Sequence, residues 1–569
     1  SYQRALDVSI KLFGEDYSST ADSYDSLGVT QDALGDFTSA LQSYQLALDV
    51  SIKLFGEDHA RIADSYHSLG VTQHALSDFT CALQSAKRAL DVRKKLFGED
   101  HASTADSYQL LGVTQHSLGD FTSALQSAQR ALDVRRNLFG EDHASTASSY
   151  HSPGVTQHSL GDFISALQSV QRALHVRKKL LGENHANTAN SYHLLGAIEH
   201  ALGDFTSALQ SKQRALDVRI TLFGEDHASA ANSYDSLGLT QHSLGDFTAA
   251  LQSYQRALNV RIKLFGENHA STADGYYSLG VTQHALGDFT AALQSYQRAL
   301  DVRIKLFGED HSSTADSYYS LGVTQHALGD FTSALQSKQR ALDVRIKLFG
   351  EDHSSTADSY YSLGVTQHAL GDFTSALQSA QRALDVRIKL FGEDHENTAD
   401  SYYLLGVTQH SLGDFTSALQ SYQRALDVSI KLFGEDHAST ADSYDSLGVT
   451  QHALGDFTSA LQSYQRALHV RIKLFGEDHA STADSYDSLG VIQHALSDFT
   501  SALHSAKRAL DVRIKVFGED HSSTADSYDS LGVTQHSLGD FTSALQSYQR
   551  ALDVRMKLSR ENHASTTDS

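Results

Sequence analysis

Two apolar patterns alternate along this chain, and each has the spacing of an amphipathic helix. In the stretch from Ser19 to Phe55, the first pattern consists of Ala21, Tyr24, Leu27, Gly28 and Leu34. The second consists of Phe37, Ala40, Leu41, Tyr44, Ala47, Leu48 and Leu54. Steps of three and four residues place such side chains on one face of a helix. The pattern therefore predicts two helices of about 16 and 19 residues, each with an apolar face to be covered.

Short turns separate the predicted helices. Ser19 and Thr20 are suited to cap the first helix, and Gly35 is suited to end it in a left-handed turn. Asp36 is suited to cap the second helix, which Gly56 closes. A single hairpin of this kind cannot cover its own apolar faces, so neighbouring copies are expected to stack.

The whole pattern recurs every 42 residues from Ser1 to the end of the chain, without insertion or deletion. This gives thirteen full copies and a 23-residue remnant. A fixed period of this length is typical of an α-solenoid. We predict one continuous array over residues 1–569, with an unpaired helix at 1–14, thirteen helix pairs over about 19–560 and a terminal remnant at 561–569. Ser1 falls inside a helical pattern, so we expect an excerpt of a longer reading frame.

Charge and composition narrow the kinds of partner. The net charge is −23, which disfavours nucleic acid and anionic membranes and favours neutral or basic protein segments. Cys81 is the only cysteine, so no disulfide framework exists and we expect a reducing, cytoplasmic setting. The sequence contains no apolar run long enough to span a bilayer.

The repeated residues also match a known family. Its aromatic, Leu-Gly, Gly-Asp-aromatic and Ala positions correspond here to Tyr24, Leu27, Gly28, Gly35, Asp36, Phe37, Ala40, Tyr44 and Ala47. The chain thus resembles a tetratricopeptide-repeat protein. This resemblance implies a right-handed superhelical α-solenoid of tandem helix-turn-helix repeats, whose first helices line a concave groove that binds protein partners.

The segment between the helix pairs points to a subclass of that family. Residues 54–59 read Leu-Phe-Gly-Glu-Asp-His, which is similar to the linker of the kinesin light chain and nephrocystin-type repeats. Ala60 stands where that subclass usually has proline. The resemblance adds a kinesin-light-chain-like cargo adaptor as an alternative function.

One stripe of the first helix is the candidate binding surface. Asp22, Asp25, Val29 and Asp32 follow each other at helical spacing, and the Asp25 position varies most between copies. In consecutive copies it becomes Tyr277, Tyr319, Tyr361 and Tyr403, and then Asp445, Asp487 and Asp529. The Asp32 position of the tyrosine copies is His284, His326, His368 and His410.

Four tyrosines at steps of about 10 Å would form an aromatic binding strip beside an acidic one. The alternative is that one tyrosine-bearing copy was duplicated without functional consequence.

The sequence contains no motif for catalysis or a cofactor. A phosphate-binding loop, an H-E-x-x-H motif and a G-x-S-x-G motif are all missing. Among the 31 histidines, neighbours on the first-helix stripe lie a repeat apart, about 10 Å, and His67 and His74 lie two helical turns apart, also about 10 Å. Zinc ligands must lie about 2 Å from one ion, so neither spacing can share one. We therefore predict that the chain is not an enzyme and uses no metal, cofactor or small-molecule substrate.

Several copies depart from the pattern. Pro153 replaces a leucine inside a first helix, which predicts a kink or a loose repeat over residues 147–160. Ser77 and Ser497 replace the turn glycine and are expected to be strained. Lys212 and Lys338 replace Tyr44 and are expected to extend their ammonium groups to the surface.

The sequence as a whole predicts a scaffold that binds a peptide or partner segment along the groove of the first helices. Alternatives are the cargo adaptor, a sensor or oligomerisation tail of a larger NTPase or signalling protein, and a passive spacer. An upstream heptad segment would favour the adaptor, and an upstream phosphate loop would favour the tail.

Overall fold

The computed structural model describes Arg4, Val8, Gly14 and residues 10–12 and 17–567, with side chains up to Ser559. Every regular element in these residues is a helix, and the helices group into two compact units, Ser1–Gly287 and Asp288–Ser569. The predicted unpaired helix at 1–14 lies largely outside the described residues. Continuity of the array across residue 287 stays a prediction.

The first unit contains thirteen helices, α1 to α13, within its described residues. Its first helices are α1 (Ser18–Ala33), α3 (Ala60–Ala75), α5 (Ala102–Ser117), α7 (Ala144–Ser159), α9 (Ala186–Ala201), α11 (Ala228–Ser243) and α13 (Ala270–Ala285). Its second helices are α2 (Phe37–Phe55), α4 (Phe79–Phe97), α6 (Phe121–Phe139), α8 (Phe163–Leu181), α10 (Phe205–Phe223) and α12 (Phe247–Phe265).

The second unit continues the same alternation. Its second helices are α14 (Phe289–Phe307), α16 (Phe331–Phe349), α18 (Phe373–Phe391), α20 (Phe415–Phe433), α22 (Phe457–Phe475), α24 (Phe499–Phe517) and α26 (Phe541–Thr567). Its first helices are α15 (Ser312–Ala327), α17 (Ser354–Ala369), α19 (Glu396–Ser411), α21 (Ala438–Ala453), α23 (Ala480–Ala495) and α25 (Ser522–Ser537). Apart from α26, the helices of both units have the predicted lengths of 16 and 19 residues.

The first helices are capped by histidine rather than by the predicted serine and threonine. In α5 the N-cap is His101, whose Nδ1 accepts a hydrogen bond from the Ser103 N–H at 3.2 Å. Its ring stacks on Phe97 with the ring centres 4.6 Å apart. The prediction that Ser19 caps the first helix was wrong, because α1 already begins at Ser18 with Tyr17 at the N-cap position.

The turn inside each helix pair follows the prediction. Gly35 has φ of 79°, and the Asp36 carboxylate accepts a hydrogen bond from the Ser39 N–H at 3.1 Å. Ser77 and Ser497 keep the same left-handed turn, with φ of 63° and 61°. The turn therefore persists without glycine, at a cost of roughly 1–2 kcal/mol in each copy.

Within each unit, a first helix packs against its own second helix and against the second helix of the preceding pair wherever these helices lie in the same unit. Successive first helices also contact each other, as α17 and α19 do. Among the described residues, successive second helices make no comparable contact. The first helices therefore form the closer-spaced layer of each unit.

Two departures from the pattern have different consequences. Pro153 lies buried within α7, which keeps the same 16-residue length as its neighbours. At the other end, Ser559 and Arg560 replace the Phe-Gly that closes the other second helices except α8, which ends at Leu181 before Gly182. Here α26 runs on to Thr567. The predicted terminal remnant is thus helical as far as it is described.

Candidate partner-binding surface

The first-helix face is the surface formed, in each copy, by the residues equivalent to Asp25, Val29 and Asp32. Val491 and Val533 on this face are 55% and 46% exposed. Their counterparts in the tyrosine copies of the second unit, Val323, Val365 and Val407, are only half-exposed. Tyr361 and Val365 pack on one core cluster, and Tyr403 and Val407 on another. The tyrosines thus cover apolar area that most other copies leave open.

A buried arginine on the second helix lies beneath this face. The arginines that are buried are Arg93, Arg135, Arg177, Arg219, Arg261, Arg303, Arg345, Arg387 and Arg513. Arg387 donates to the Asn397 carbonyl at 2.8 Å, to the Ser401 hydroxyl at 2.9 Å and to the Asp358 carboxylate at 2.9 Å. One guanidinium therefore joins two successive first helices. The sequence analysis missed this role of the arginine in the repeated motif Val-Arg-Ile-Lys.

Two tyrosines of the predicted strip stack on these arginines. The Arg345 guanidinium lies 4.7 Å from the centre of the Tyr319 ring, and the Arg387 guanidinium lies 4.7 Å from that of Tyr361. Both rings are half-buried, and burial raises the pKa of both phenols. Cation–π contact and burial therefore fix the orientation of each ring while part of its surface stays open.

The other two tyrosines differ in their surroundings. Tyr403 has Ser429 where the other three tyrosine copies have arginine, and it packs edge-to-face on Tyr422 with the ring centres 5.5 Å apart. The Ser446 hydroxyl donates to its phenol oxygen at 3.1 Å. Tyr277 is half-buried on α13 and belongs to the first unit.

The predicted acidic residues pair with the same arginine column. Asp445 pairs with Arg471, and Asp487 with Arg513, leaving the two aspartate side chains 19% and 20% exposed. Burial raises the pKa of both carboxyls to about 6, against the opposing effect of the arginines. Asp529 pairs with Arg555 at 2.6 Å and is 33% exposed. These carboxylates are more buried than expected for a solvent-exposed acidic strip. Their role in partner binding stays a prediction.

The predicted histidines lie along the edge of the first-helix face. His368 Nε2 is 2.8 Å from the Ser411 hydroxyl of the next first helix, and His326 Nδ1 is 3.2 Å from the Thr366 hydroxyl. Burial lowers the pKa of His284, His326 and His368. His410 packs on Phe415 with the ring centres 5.0 Å apart. Within the described residues, no three His, Cys, Asp or Glu side chains converge as metal ligands.

The tetratricopeptide repeat family matches the sequence in thirteen overlapping segments. They are residues 1–53, 33–95, 74–137, 118–179, 154–221, 189–263, 242–305, 271–347, 326–389, 369–431, 410–473, 452–515 and 495–557. The chain is a tetratricopeptide-repeat protein. It is therefore a repeat scaffold of a kind that generally mediates protein–protein binding and is generally non-catalytic.

Several solved tetratricopeptide-type structures are similar to parts of this chain. BtubC (BKLC) from P. vanneervenii is 24% identical, covers 40% of this chain and 92% of its own, and has a TM-score of 0.37. A putative kinesin light chain from Podosopora anserina with nearly identical TPR-like repeats is 17% identical, covers 36% of this chain and 98% of its own, and has a TM-score of 0.34. The apo form of RapI is 14% identical, covers 51% and 99%, and has a TM-score of 0.40. A comparison with curated protein sequences found no match.

In most copies, a glycine in the first helix of the tetratricopeptide array leaves space that another side chain fills. The filler can be a tyrosine ring from the second helix. A Cβ added at Gly448, for example, would lie 2.8 Å from Tyr464 Cε1. Tyr44, Tyr254, Tyr422 and Tyr548 lie over their glycines in the same way. The tyrosine at this position is thus a core residue that supports the first-helix face from below.

Lysine fills the same space in two copies, contrary to the prediction that Lys212 and Lys338 reach the surface. Their side chains are 2% and 3% exposed. Lys338 Nζ donates to the Ser362 carbonyl at 3.1 Å and to the Thr366 hydroxyl at 2.7 Å. Burial lowers the pKa of both ammonium groups to about 8. The lysine stem replaces the tyrosine ring because buried oxygens accept from its ammonium group.

Where the filler position is alanine, leucine can enter from the next first helix. Leu110 lies over Gly70 opposite Ala86, and Leu404 lies over Gly364 opposite Ala380. A Cβ at Gly70 would lie 3.0 Å from Leu110 Cδ2. The copies with a tyrosine or lysine filler have serine in place of this leucine. Some sequence differences between copies are therefore compensating pairs.

None of the helices in the described residues is both long and apolar enough to cross a bilayer.

Proposed function

We propose that this tetratricopeptide-repeat protein is a scaffold that binds a peptide segment of a neutral or basic protein partner along its first-helix face. The observation that carries the proposal is that the most variable position of this face holds three oriented tyrosines in the second unit. Tyr319, Tyr361 and Tyr403 are half-buried, and neighbouring side chains hold their rings in place.

The packing of these tyrosines supports a binding role because it reduces the entropy lost on association. A ring already fixed by Arg345 or Arg387 loses little rotamer freedom when a partner covers its open surface. Tyrosine is also enriched at the points that dominate interface energy. His326 and His368 border the same surface and supply polar contacts at its edge.

The test exchanges residues between copies of the chain itself. Replacing Tyr319 and Tyr361 with aspartate recreates the Asp–Arg pairs formed by Asp445 and Asp487. Replacing Tyr403 with aspartate opposite Ser429 recreates the combination of Asp25 and Ser51. We expect the triple variant to fold like the wild type and to lose at least about tenfold in recovery of its partners from a lysate of the source cells.

The matched control is the reverse exchange, Asp445→Tyr opposite Arg471, which should leave partner recovery intact or raise it. The single variant Tyr277→Asp tests the first unit separately. If the triple variant recovers the same partners at the same level as the wild type, the tyrosines are a product of duplication and the passive spacer is favoured.

A cargo adaptor of kinesin-light-chain type is the second candidate, and the linker sequence favours it. The histidine of that linker caps the next first helix, and the preceding phenylalanine stacks on it, as His101 and Phe97 show. Recovery of a microtubule motor subunit in the same pull-down would support this candidate. Its absence from every preparation would contradict it. The single cysteine and the net negative charge are consistent with a cytoplasmic location.

A further inference from the structure

Two copies have neither a bulky filler over the first-helix glycine nor a leucine opposite it. They contain the pairs Ala128 with Ser152, and Ala506 with Ser530. The threonines that line these positions, Thr156 and Thr534, are 4% and 5% exposed. Of the other threonines in this column, Thr30 is half-buried, and the rest are fully buried: Thr72, Thr114, Thr240, Thr282, Thr324, Thr366, Thr408 and Thr450. A filler is therefore missing from both positions.

The two gaps differ in how far the helices close over them. A Cβ built at Gly112 would lie 3.3 Å from the Ala128 nitrogen, so α5 and α6 approach each other closely. The corresponding distance from Gly490 to the Ala506 nitrogen is 3.8 Å. The second gap has the wider spacing, and it forms a cavity of about 250 Å³.

The cavity lies on the first-helix face of the second unit, between α23 and α25. Gly490 and Ala506 line it, together with Val491, His494 and Val533. Val491 and Val533 are the exposed valines of the face, so the cavity opens towards solvent. It is smaller than the sites of drug-sized ligands, which span about 300–1,000 Å³, and its size suits a single side chain.

We propose that this cavity binds one tyrosine side chain of a partner protein, which replaces the missing internal filler. The chain itself shows that a phenol fits the position. In the neighbouring copies, Tyr464 lies over Gly448 and Tyr548 lies over Gly532, and in both a Cβ at the glycine would be 2.8 Å from the ring. This inference rests on the proposed function only in assuming that the tyrosine belongs to a protein partner.

The charge at the cavity sets which form of tyrosine can enter. Asp487 lines the cavity, and its Oδ1 is buried and accepts no hydrogen bond from the protein, while Oδ2 pairs with Arg513. A phosphate dianion on the entering ring would be repelled by this carboxylate and by the net charge of −23. The cavity therefore accepts tyrosine and rejects phosphotyrosine.

The test uses small probes and the full chain, so it needs no identified partner. N-acetyl-tyrosinamide should bind saturably at one site, with an affinity in the millimolar range typical of a fragment, as followed by NMR titration. N-acetyl-serinamide and N-acetyl-phosphotyrosinamide should bind at least about tenfold more weakly.

Two variants fill the cavity from opposite sides, and a third is the matched control. Ala506→Tyr supplies the ring found at Tyr464, and Ser530→Leu supplies the leucine found at Leu404. Each should weaken N-acetyl-tyrosinamide binding at least about tenfold while circular dichroism shows an unchanged fold. Ala128→Tyr, the same substitution at the other gap, should leave binding unchanged.

Three results would overturn the proposal: no saturable binding to the wild type, unchanged binding in both filling variants, or equal loss in Ala128→Tyr. These results are separable from the pull-down with the tyrosine-to-aspartate variants. If N-acetyl-tyrosinamide does not bind but the tyrosine-to-aspartate variant loses partner recovery, only the cavity proposal is rejected. If N-acetyl-tyrosinamide binds but that variant recovers partners like the wild type, only the proposed role of the tyrosines is rejected.

Discussion

In most copies the variable residue of the first-helix face lies beside an arginine of the second helix, and that neighbour explains which residue types occur there. Aspartate pairs with the guanidinium at Asp445 and Arg471, tyrosine stacks under it at Tyr361 and Arg387, and histidine contacts it at His151. All three types have an electron-rich face or atom that attracts a cation. The position can therefore change between copies without loss of the fold.

Histidine at the Asp25-type position makes the stability of the first unit sensitive to acid. Burial, together with Arg219 and Lys212, lowers the pKa of His193 to about 4. An unfolded histidine titrates near 6.5, so between about pH 6.5 and 4 the unfolded chain binds more protons than the folded one. Stability is therefore lost as the pH falls through this window, by up to about 3 kcal/mol for this residue.

The exchange His193→Gln tests this, because Gln109 occupies the same position in another copy. We expect amide exchange in α9 to accelerate between pH 6.5 and 4.5 in the wild type, after correction for the intrinsic rate, and to change less in the variant. A wild-type His193 titrating near 6.5 by NMR, or identical pH profiles for both proteins, would contradict the account.

At the scale of helices, the sequence predicted the parts that depend on local chemistry. Gly35 and Asp36 form the expected turn because a left-handed residue and a capping carboxylate act within a few residues. The fold class was also predictable from the sequence. Each 42-residue copy has two helices with apolar faces, and stacking of neighbouring copies covers both faces.

Contacts that depend on the next copy of the repeat could not be predicted from the residues of one copy. Lys338 is buried because Ser362 and Thr366 of the following first helix accept its hydrogen bonds. The cap at His101 depends on Phe97 before it, and the pairing of Ala380 with Leu404 spans two helix pairs. Comparing such columns between copies was the signal that could have found these contacts.

Pro153 tests how one helix depends on its neighbours. It removes one backbone hydrogen bond from α7, yet α7 keeps its full length, so its packing against α6 and α8 outweighs the loss. We expect amide exchange over residues 147–160 to be faster than in the corresponding residues of α5 and α9. Pro153→Leu should raise the local free energy of opening by about 3 kcal/mol.

The matched control is Leu195→Pro in α9, which places proline at the same position of the next copy and should lower that free energy by about the same amount. Equal exchange rates in α5, α7 and α9 of the wild type would show that the proline costs nothing measurable in this helix.

At the scale of the whole molecule, near-identical copies build the surface and the exceptions distinguish its parts. The first unit bears histidine, glutamine and aspartate, and Tyr277 on α13, at the variable position. The second unit bears three tyrosines, then the aspartates and the cavity at Ala506. The net charge of −23 is the reason for proposing that the partners are neutral or basic.

The most direct test of partner binding on the first-helix face is site-specific photo-crosslinking in the source cells. A benzophenone amino acid replaces Tyr361 on that face or, as control, Arg382, which is exposed on the second helix α18. We predict a discrete crosslinked partner from position 361, none from position 382, and loss of the product when Tyr319 and Tyr403 are changed to aspartate. Equal products from both positions, or no product from position 361, would contradict the account.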